Sequence, residues 1–285
     1  MPKQVVASGE GGLRPNLPPV FGTSSMRPMK VMAEPTMDDP EGELFVADAI
    51  RELSDSRIPF LLAGTFAVSA YTGITRRTKD LDIFCKASDY PRILSFFRDR
   101  GYQIGVEDER WIAKIYCGRH FFDVIFSCRA TEIAITEEWF ENAPKIELYG
   151  TMVNIIKPTE LIWSKIFVQD RYRYDGADVA HVILKQSEAI DWPRLLRYME
   201  VHWEVLLTHL INFRYIYPSD RHLIPRWVMD ELVDRMRKHL DMPPSKVKVC
   251  RGRLFSARDY ATDINEWGYA DLVGKGIDER HDPAE

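Results

Sequence analysis

The chain has 285 residues, 45% of them hydrophobic and 28% charged, with a formal net charge of -5. That length and apolar content suffice for one full core with room for a second small unit, and the acidic balance excludes a general nucleic-acid-coating protein, leaving any RNA contact to a local basic patch. No apolar run approaches the roughly 20 residues of a membrane span and the N-terminus has no apolar signal core, so no membrane association is expected and the expected location is cytoplasmic.

Cysteine usage agrees with that compartment. Cys85, Cys117, Cys128 and Cys250 are widely spaced, with no Cys-x-x-Cys pair, which fits reduced thiols better than a disulfide framework or a zinc site. Residues 1–41 are rich in Pro, Gly and Ser and are expected to form a disordered leader. From Glu43 onward Val46, Ala49, Ile50 and Leu53 recur at helical spacing, which predicts a helix ending near Asp55. Residues 58–63 read as a buried strand, Gly64 as a turn, and residues 65–71 as a short helix. A glycine at that turn lets backbone approach a phosphate, and Thr65 offers a hydroxyl and an amide at the positive end of the helix. Arg76, Arg77 and Lys79 add cations just before the next strand, residues 80–84.

Strand periodicity puts Asp80 and Asp82 on one face and Leu81 and Ile83 on the other. Two adjacent carboxylates repel unless a cation lies between them, and oxygen ligands of this kind suit Mg²⁺ when substrate phosphates supply further ligands. Taken alone, Asp-x-Asp also fits a solvated strand end. Tyr90, Ile93, Leu94 and Phe97 define a second helix with Gly101 as its C-terminal cap. Residues 111–117 and 121–126 then form a hairpin around Gly118-Arg119-His120. Phe122, Val124 and Phe126 share one face of it, so Asp123 points the other way, either toward Asp80 and Asp82 or as an exposed edge carboxylate.

Residues 151–156 make another strand, and Pro158 opens a helix, with Glu160 near its positive end, that runs through Lys165 and Val168 into a charged segment at 170–178. An α/β unit over 42–157, a helical unit over 158–240 and a tail over 241–285 follow from this pattern. Leu195, Met199, Trp203, Leu206 and Leu210 predict one amphipathic helix over 191–216. His202 and His209 lie on it without a ligating partner at i+4 and read as core or surface histidines rather than metal ligands. Residues 227–240 are the last helix. In the tail, Lys246, Lys248, Arg251, Arg253 and Arg258 form a basic strip followed by Tyr260, Trp267 and Tyr269, which could touch RNA or dock through its aromatics.

The ordered set Gly64-Thr65, Asp80-x-Asp82 and a later strand Asp123 resembles the nucleotidyltransferase superfamily. The run Arg76-Arg77-Thr78-Lys79-Asp80-Leu81-Asp82 is most similar to its AbiEii-type branch, toxins of type IV toxin-antitoxin modules. Lys165, Arg171, Asp175 and Asp178 are similar to a later motif of that branch. Ala63 stands where the branch carries a second glycine, and tyrosine stands where it prefers lysine in the 171–178 run.

The resemblance implies an α/β (α+β) fold, a small mixed-sheet catalytic domain followed by a helical C-terminal domain. It implies that Asp80, Asp82 and Asp123 are catalytic and hold Mg²⁺ or Mn²⁺, and that Gly64, Thr65, Arg76, Arg77, Lys165 and Asp178 bind a nucleoside triphosphate. The implied reaction moves a nucleoside monophosphate to an acceptor hydroxyl on a tRNA end, a protein or a small molecule and releases pyrophosphate, and the implied partner is a cognate antitoxin. Two other readings stay open: a non-catalytic module of the same fold, and an Asp-x-Asp glycosyltransferase. The second would need a large nucleotide-binding region before the pair, where only a short segment follows the leader.

Overall fold

The computed structural model describes residues 29–33, 35–37, 39–128 and 133–272. In chain order its elements are β1 (Thr36–Met37), α1 (Pro40–Ser56), β2 (Leu61–Leu62), α2 (Gly64–Thr72), β3 (Arg77–Thr78), β4 (Leu81–Phe84), α3 (Tyr90–Arg98), β5 (Gln103–Asp108), β6 (Ile112–Cys117), β7 (His120–Ile125), α4 (Glu137–Phe140), β8 (Lys145–Leu148) and β9 (Thr151–Asn154). There follow α5 (Pro158–Lys165), α6 (Gly176–Gln186), α7 (Trp192–Tyr198), α8 (Trp203–Ile216), α9 (Arg226–Leu240), β10 (Val249–Cys250), α10 (Ala261–Asn265) and β11 (Ala270–Asp271). The architecture is α/β (α+β), with a mixed sheet and several helices.

The central sheet has the order β2-β4-β7-β6-β5. Only the β4/β7 pair is parallel; the others are antiparallel. That pair sets Leu81 beside Phe122, Asp82 beside Asp123 and Ile83 beside Val124. Leu81, Ile83, Phe122 and Val124 are fully buried, so one face of both strands belongs to the core and the alternate residues are left to the other face. Helix α1 covers the core with Phe45, Val46, Ala49, Ile50 and Leu53. Its start is fixed by Asp39, whose Oδ1 accepts from Gly42 N at 2.8 Å, and by Pro40 in the first turn.

Helix α2, which bears directly on the site, is anchored at its far end. Tyr71 Oη donates to Ile156 O at 2.8 Å, and Gln186 Nε2 donates to Tyr71 O at 2.9 Å. Among the described residues no helix is long and apolar enough to cross a membrane.

Several elements differ from expectation. The 58–63 strand shortens to β2. The helix at 191–216 is two helices, α7 and α8, joined by a turn in which His202 N donates to Met199 O at 2.9 Å. Leu195, Met199, Trp203, Leu206 and Leu210 are all buried, so both helices face the core and periodicity alone cannot register the break. Helix α5 stops at Lys165 because the chain folds back: Asp170 N donates to Arg173 O at 2.9 Å and Asp175 N to Val168 O at 3.0 Å. Strands β5 and β8 and helices α4 and α6 had no counterpart in the sequence reading.

Of the leader expected over 1–41, residues 1–28 lie outside the described residues. Its end takes part in the fold, with Thr36 and Met37 pairing with Arg77 and Thr78. In the tail, β10 pairs with β11, Phe255 packs near Phe167, and Arg258 lies 4.1 Å from the Tyr172 ring centroid. Residues 273–285 lie outside the described residues.

Candidate active site

The register of β4 and β7 dictates the centre of the site. Asp80 just before β4, Asp82 within it and Asp123 in β7 bring carboxylate oxygens within 4.8 Å of one another. Thr78 Oγ1 bonds Asp80 Oδ1 at 3.3 Å and Asp80 O at 3.1 Å, which fixes the entry to the strand. Burial, with crowding of like charge behind it, shows in the acidities. Burial, then the carboxylates of Asp80 and Asp123, push the Asp82 carboxyl up to about 7. Burial pushes Asp123 up to about 6 against the pull of Lys114.

Lys114 was missed from sequence. It lies opposite Asp123 across the β6/β7 hairpin, with Nζ 2.6 Å from Asp123 Oδ1. The ammonium therefore occupies one oxygen of Asp123.

Gly64 has a more specific role than chain flexibility. It opens α2 at φ +57°, and a Cβ placed there would lie 1.7 Å from Asp82 Oδ2 and 2.6 Å from its Cγ. The hydrogen face of Gly64 is the space that the Asp82 carboxylate fills. Ala63 N also donates to Asp82 O at 2.9 Å, so turn and strand are tied by backbone as well. No side chain caps α2, so its first amides have no side-chain acceptor at the helix's positive end, and that end begins at Gly64, against the Asp82 carboxylate.

The remaining expected residues fall into two groups. Arg77 sits on β3 with its residue exposed. Lys165, by contrast, is buried: its Nζ lies 2.8 Å from Asp175 Oδ2 and 2.9 Å from Asp178 Oδ2. Asp178 also pairs with Arg76 at 2.6 Å, and Asp175 with Arg173 at 3.1 Å. Lys165, Arg76 and Asp178, all read from sequence as nucleotide contacts, thus form one ionic cluster that joins the segment before β4 to α5 and α6. The positive charge of both Lys165 and Arg173 still acts on Asp82. Arg173, like Lys114, was absent from the expected site.

His209 is buried with Nε2 2.9 Å from Ile166 O, and His202 lies edge-on to Phe167. Neither belongs to the residue groups with metal-ligand spacing. A second such group among the described residues, Asp39, Glu41 and His120, already holds Arg119 at 3.1 Å from both carboxylates.

The weakened acidity of Asp82 has a consequence for stability. A carboxyl that titrates at about 7 in the folded chain against 3.8 otherwise binds its proton more tightly when folded. Stability therefore falls as pH rises from about 4 to about 7, by an amount on the order of a few kcal/mol. In metal-free buffer containing chelator, urea denaturation of Asp82→Asn should show its stability rising relative to the parent across that window. Parallel pH curves for the two proteins would contradict the origin assigned to the shift.

Comparison with known proteins adds the class. Residues 46–164 match the family described as aminoglycoside-2''-adenylyltransferase. That stretch contains Gly64, Asp80, Asp82, Asp123 and Lys114, and it indicates an enzyme of the nucleotidyltransferase class. The likeness to the AbiEii-type branch rests on the sequence motifs alone. The comparison with curated proteins gave no match.

Among solved structures, the chain is similar to the antibiotic-resistance factor ANT(2'')-Ia in solution, at 15% identity over 63% of this chain and 97% of that one, with a TM-score of 0.37. It is also similar to the lincosamide antibiotic adenylyltransferase LnuA with lincomycin bound, at 14% identity over 50% and 96% of the two chains and a TM-score of 0.35. An antigenic nucleotidyltransferase-like protein from Paracoccidioides brasiliensis gives 14% identity over 66% and 93%, with a TM-score of 0.40. These are remote likenesses, and the chemistry of the site rests on its own residues.

Proposed function

We propose that the protein transfers a nucleoside monophosphate from a nucleoside triphosphate to a hydroxyl of a small-molecule acceptor, in a metal-dependent reaction that releases pyrophosphate. The observation that carries this is the convergence of Asp80, Asp82 and Asp123 within 4.8 Å beside the uncapped start of α2. Three hard oxygen donors crowded together fit Mg²⁺ or Mn²⁺, and these residues would hold it. When bound, the metal supplies charge neutralisation for the phosphoryl oxygens.

The chain's own residues do the rest. The Gly64 and Thr65 amides and the helix end behind them favour phosphate at the mouth of the site. Asp123 accepts the proton of the attacking hydroxyl on the oxygen that Lys114 leaves open, and Lys114 holds that carboxylate in place. The hydroxyl oxygen then bonds the α-phosphorus as the bond to pyrophosphate breaks. Arg76, Lys165 and Asp178 position the loop that leads into β4 and act on the nucleotide only through it.

The small-molecule acceptor is favoured over tRNA or protein by the family match to adenylyltransferases of an antibiotic. Each α-labelled nucleotide, incubated with aminoglycosides, lincosamides, total tRNA and lysate protein in separate arms, tests this. Label is expected on a small acceptor and from ATP. Label on tRNA or protein alone would overturn the acceptor, and would return the AbiEii-type reading with its antitoxin partner.

Within that assay Asp123→Asn should keep nucleotide bound yet slow transfer by about 10² to 10⁴, the scale of general-base catalysis. Lys114→Met should slow transfer less, since the carboxylate remains but loses its anchor. Parent-rate transfer by Asp123→Asn would remove Asp123 from the chemistry.

A further inference from the structure

One face of α9, beside its buried Val228 and Leu232, carries a pattern that nucleotidyl transfer does not use. Arg226, Met229, Asp230, Val233, Asp234 and Arg237 recur at helical spacing and line an open pocket of about 1020 Å³. Arg214 near the end of α8, Arg221 and His222 in the turn at 221–223, and Ile224 complete the lining. The pocket shares no residue and no element with the carboxylate site.

Its charge is unusual for an acidic chain. Four guanidinium groups face two carboxylates. Arg226 pairs with Asp230 at 3.4 Å and Arg237 with Asp234 at 2.8 Å, both in exposed one-turn pairs that water screens and that a better acceptor can displace. Arg214 and Arg221 make no ion pair among the described residues, and Arg221 Nε is oriented by a 3.2 Å bond to Arg214 O. The cationic lining is arginine, with His222 beside it and no lysine. Planar guanidinium forks match the paired oxygens of phosphate, and several at one concavity match several phosphates better than a single carboxylate.

From this arrangement we infer a second anion site: the α8/α9 pocket binds a ligand carrying two or more clustered phosphate groups. The volume exceeds the need of one inorganic phosphate. This inference does not depend on the transfer reaction, and it holds or fails separately.

Two probes distinguish the source of the phosphates, inorganic tripolyphosphate and a short single-stranded RNA. Each is titrated calorimetrically into the full-length protein in chelator, where no metal can bridge phosphate to the carboxylate site. Saturable binding is expected for at least one probe. The double variant Arg214→Gln with Arg237→Gln should weaken it by about tenfold or more, while the thermal melt stays unchanged. RNA binding tighter than tripolyphosphate would assign the phosphates to nucleic acid, and tripolyphosphate binding at least as tight would assign them to a small ligand. Should the double variant melt early, Asp230→Asn with Asp234→Asn gives a test of opposite sign, because removal of the competing carboxylates must tighten binding. Absence of saturable binding for both probes, or affinities indifferent to all four substitutions, would overturn the site.

Discussion

Gly64→Ala should reduce transfer by about 10²-fold or more, although it adds a single methyl group. The added carbon would stand 1.7 Å from Asp82 Oδ2, so either the carboxylate rotates out of the site or the start of α2 moves away from β4. Both outcomes separate the Asp82 oxygens from the helix amides that face the same phosphates. The left-handed backbone at φ +57° adds a strain of about 1 kcal/mol or more for any residue with a Cβ. A transfer assay paired with a thermal melt separates the two effects: the melt should fall modestly and the rate steeply. An alanine variant that works at the parent rate would show that the close approach of turn and carboxylate is unimportant.

The second large effect concerns Lys165. Its ammonium is buried between Asp175 and Asp178 at the start of α6, and removing it leaves two carboxylates with reduced compensation away from water. Breaking a buried pair from one side costs about 3–5 kcal/mol, and the lower part of that range applies because Arg76 and Arg173 keep one contact each with these carboxylates. Urea denaturation of Lys165→Ala should show that loss. A change below about 1 kcal/mol, the scale of an exposed pair, together with weakened nucleotide binding, would restore Lys165 as a direct nucleotide contact.

The contrast between these two residues shows how far sequence reading reached. Alternation in residues 80–84 was enough to place Asp80 and Asp82 together, and the apolar face of Phe122 and Val124 turned Asp123 the other way, with the choice between the site and an exposed edge decided by the β4/β7 register. Both are local rules with a period of two. Lys114 was not legible by the same means: a turn over 118–120 would set it opposite Val124, and the observed pairing of Cys117 with His120 sets it opposite Asp123.

Lys165, Arg76 and Asp178 could not be read locally. Their partners are brought in by α6, whose start lies in the charged run at 170–178, and by the fold-back at 169–174. A lysine near the end of a helix looks solvated until the next helix returns two carboxylates to it. Gly64 illustrates the converse, since its place was visible but its reason, the Asp82 side chain, needed the register of turn and strand.

The break between α7 and α8 belongs to the same class. One apolar stripe continues across it, and a stripe reports which side is buried rather than whether the backbone is continuous.

The central claim is that the three carboxylates form one site for transfer of the α-phosphorus. The most direct test follows the phosphorus itself, with ATP labelled at α in one reaction and at γ in another, using the parent protein and Asp82→Asn with Mg²⁺ present. The account predicts that the parent places α-label on the acceptor and γ-label in pyrophosphate, and that Asp82→Asn does neither. Transfer of γ-label to the acceptor, or α-label transfer by Asp82→Asn at the parent rate, would contradict it.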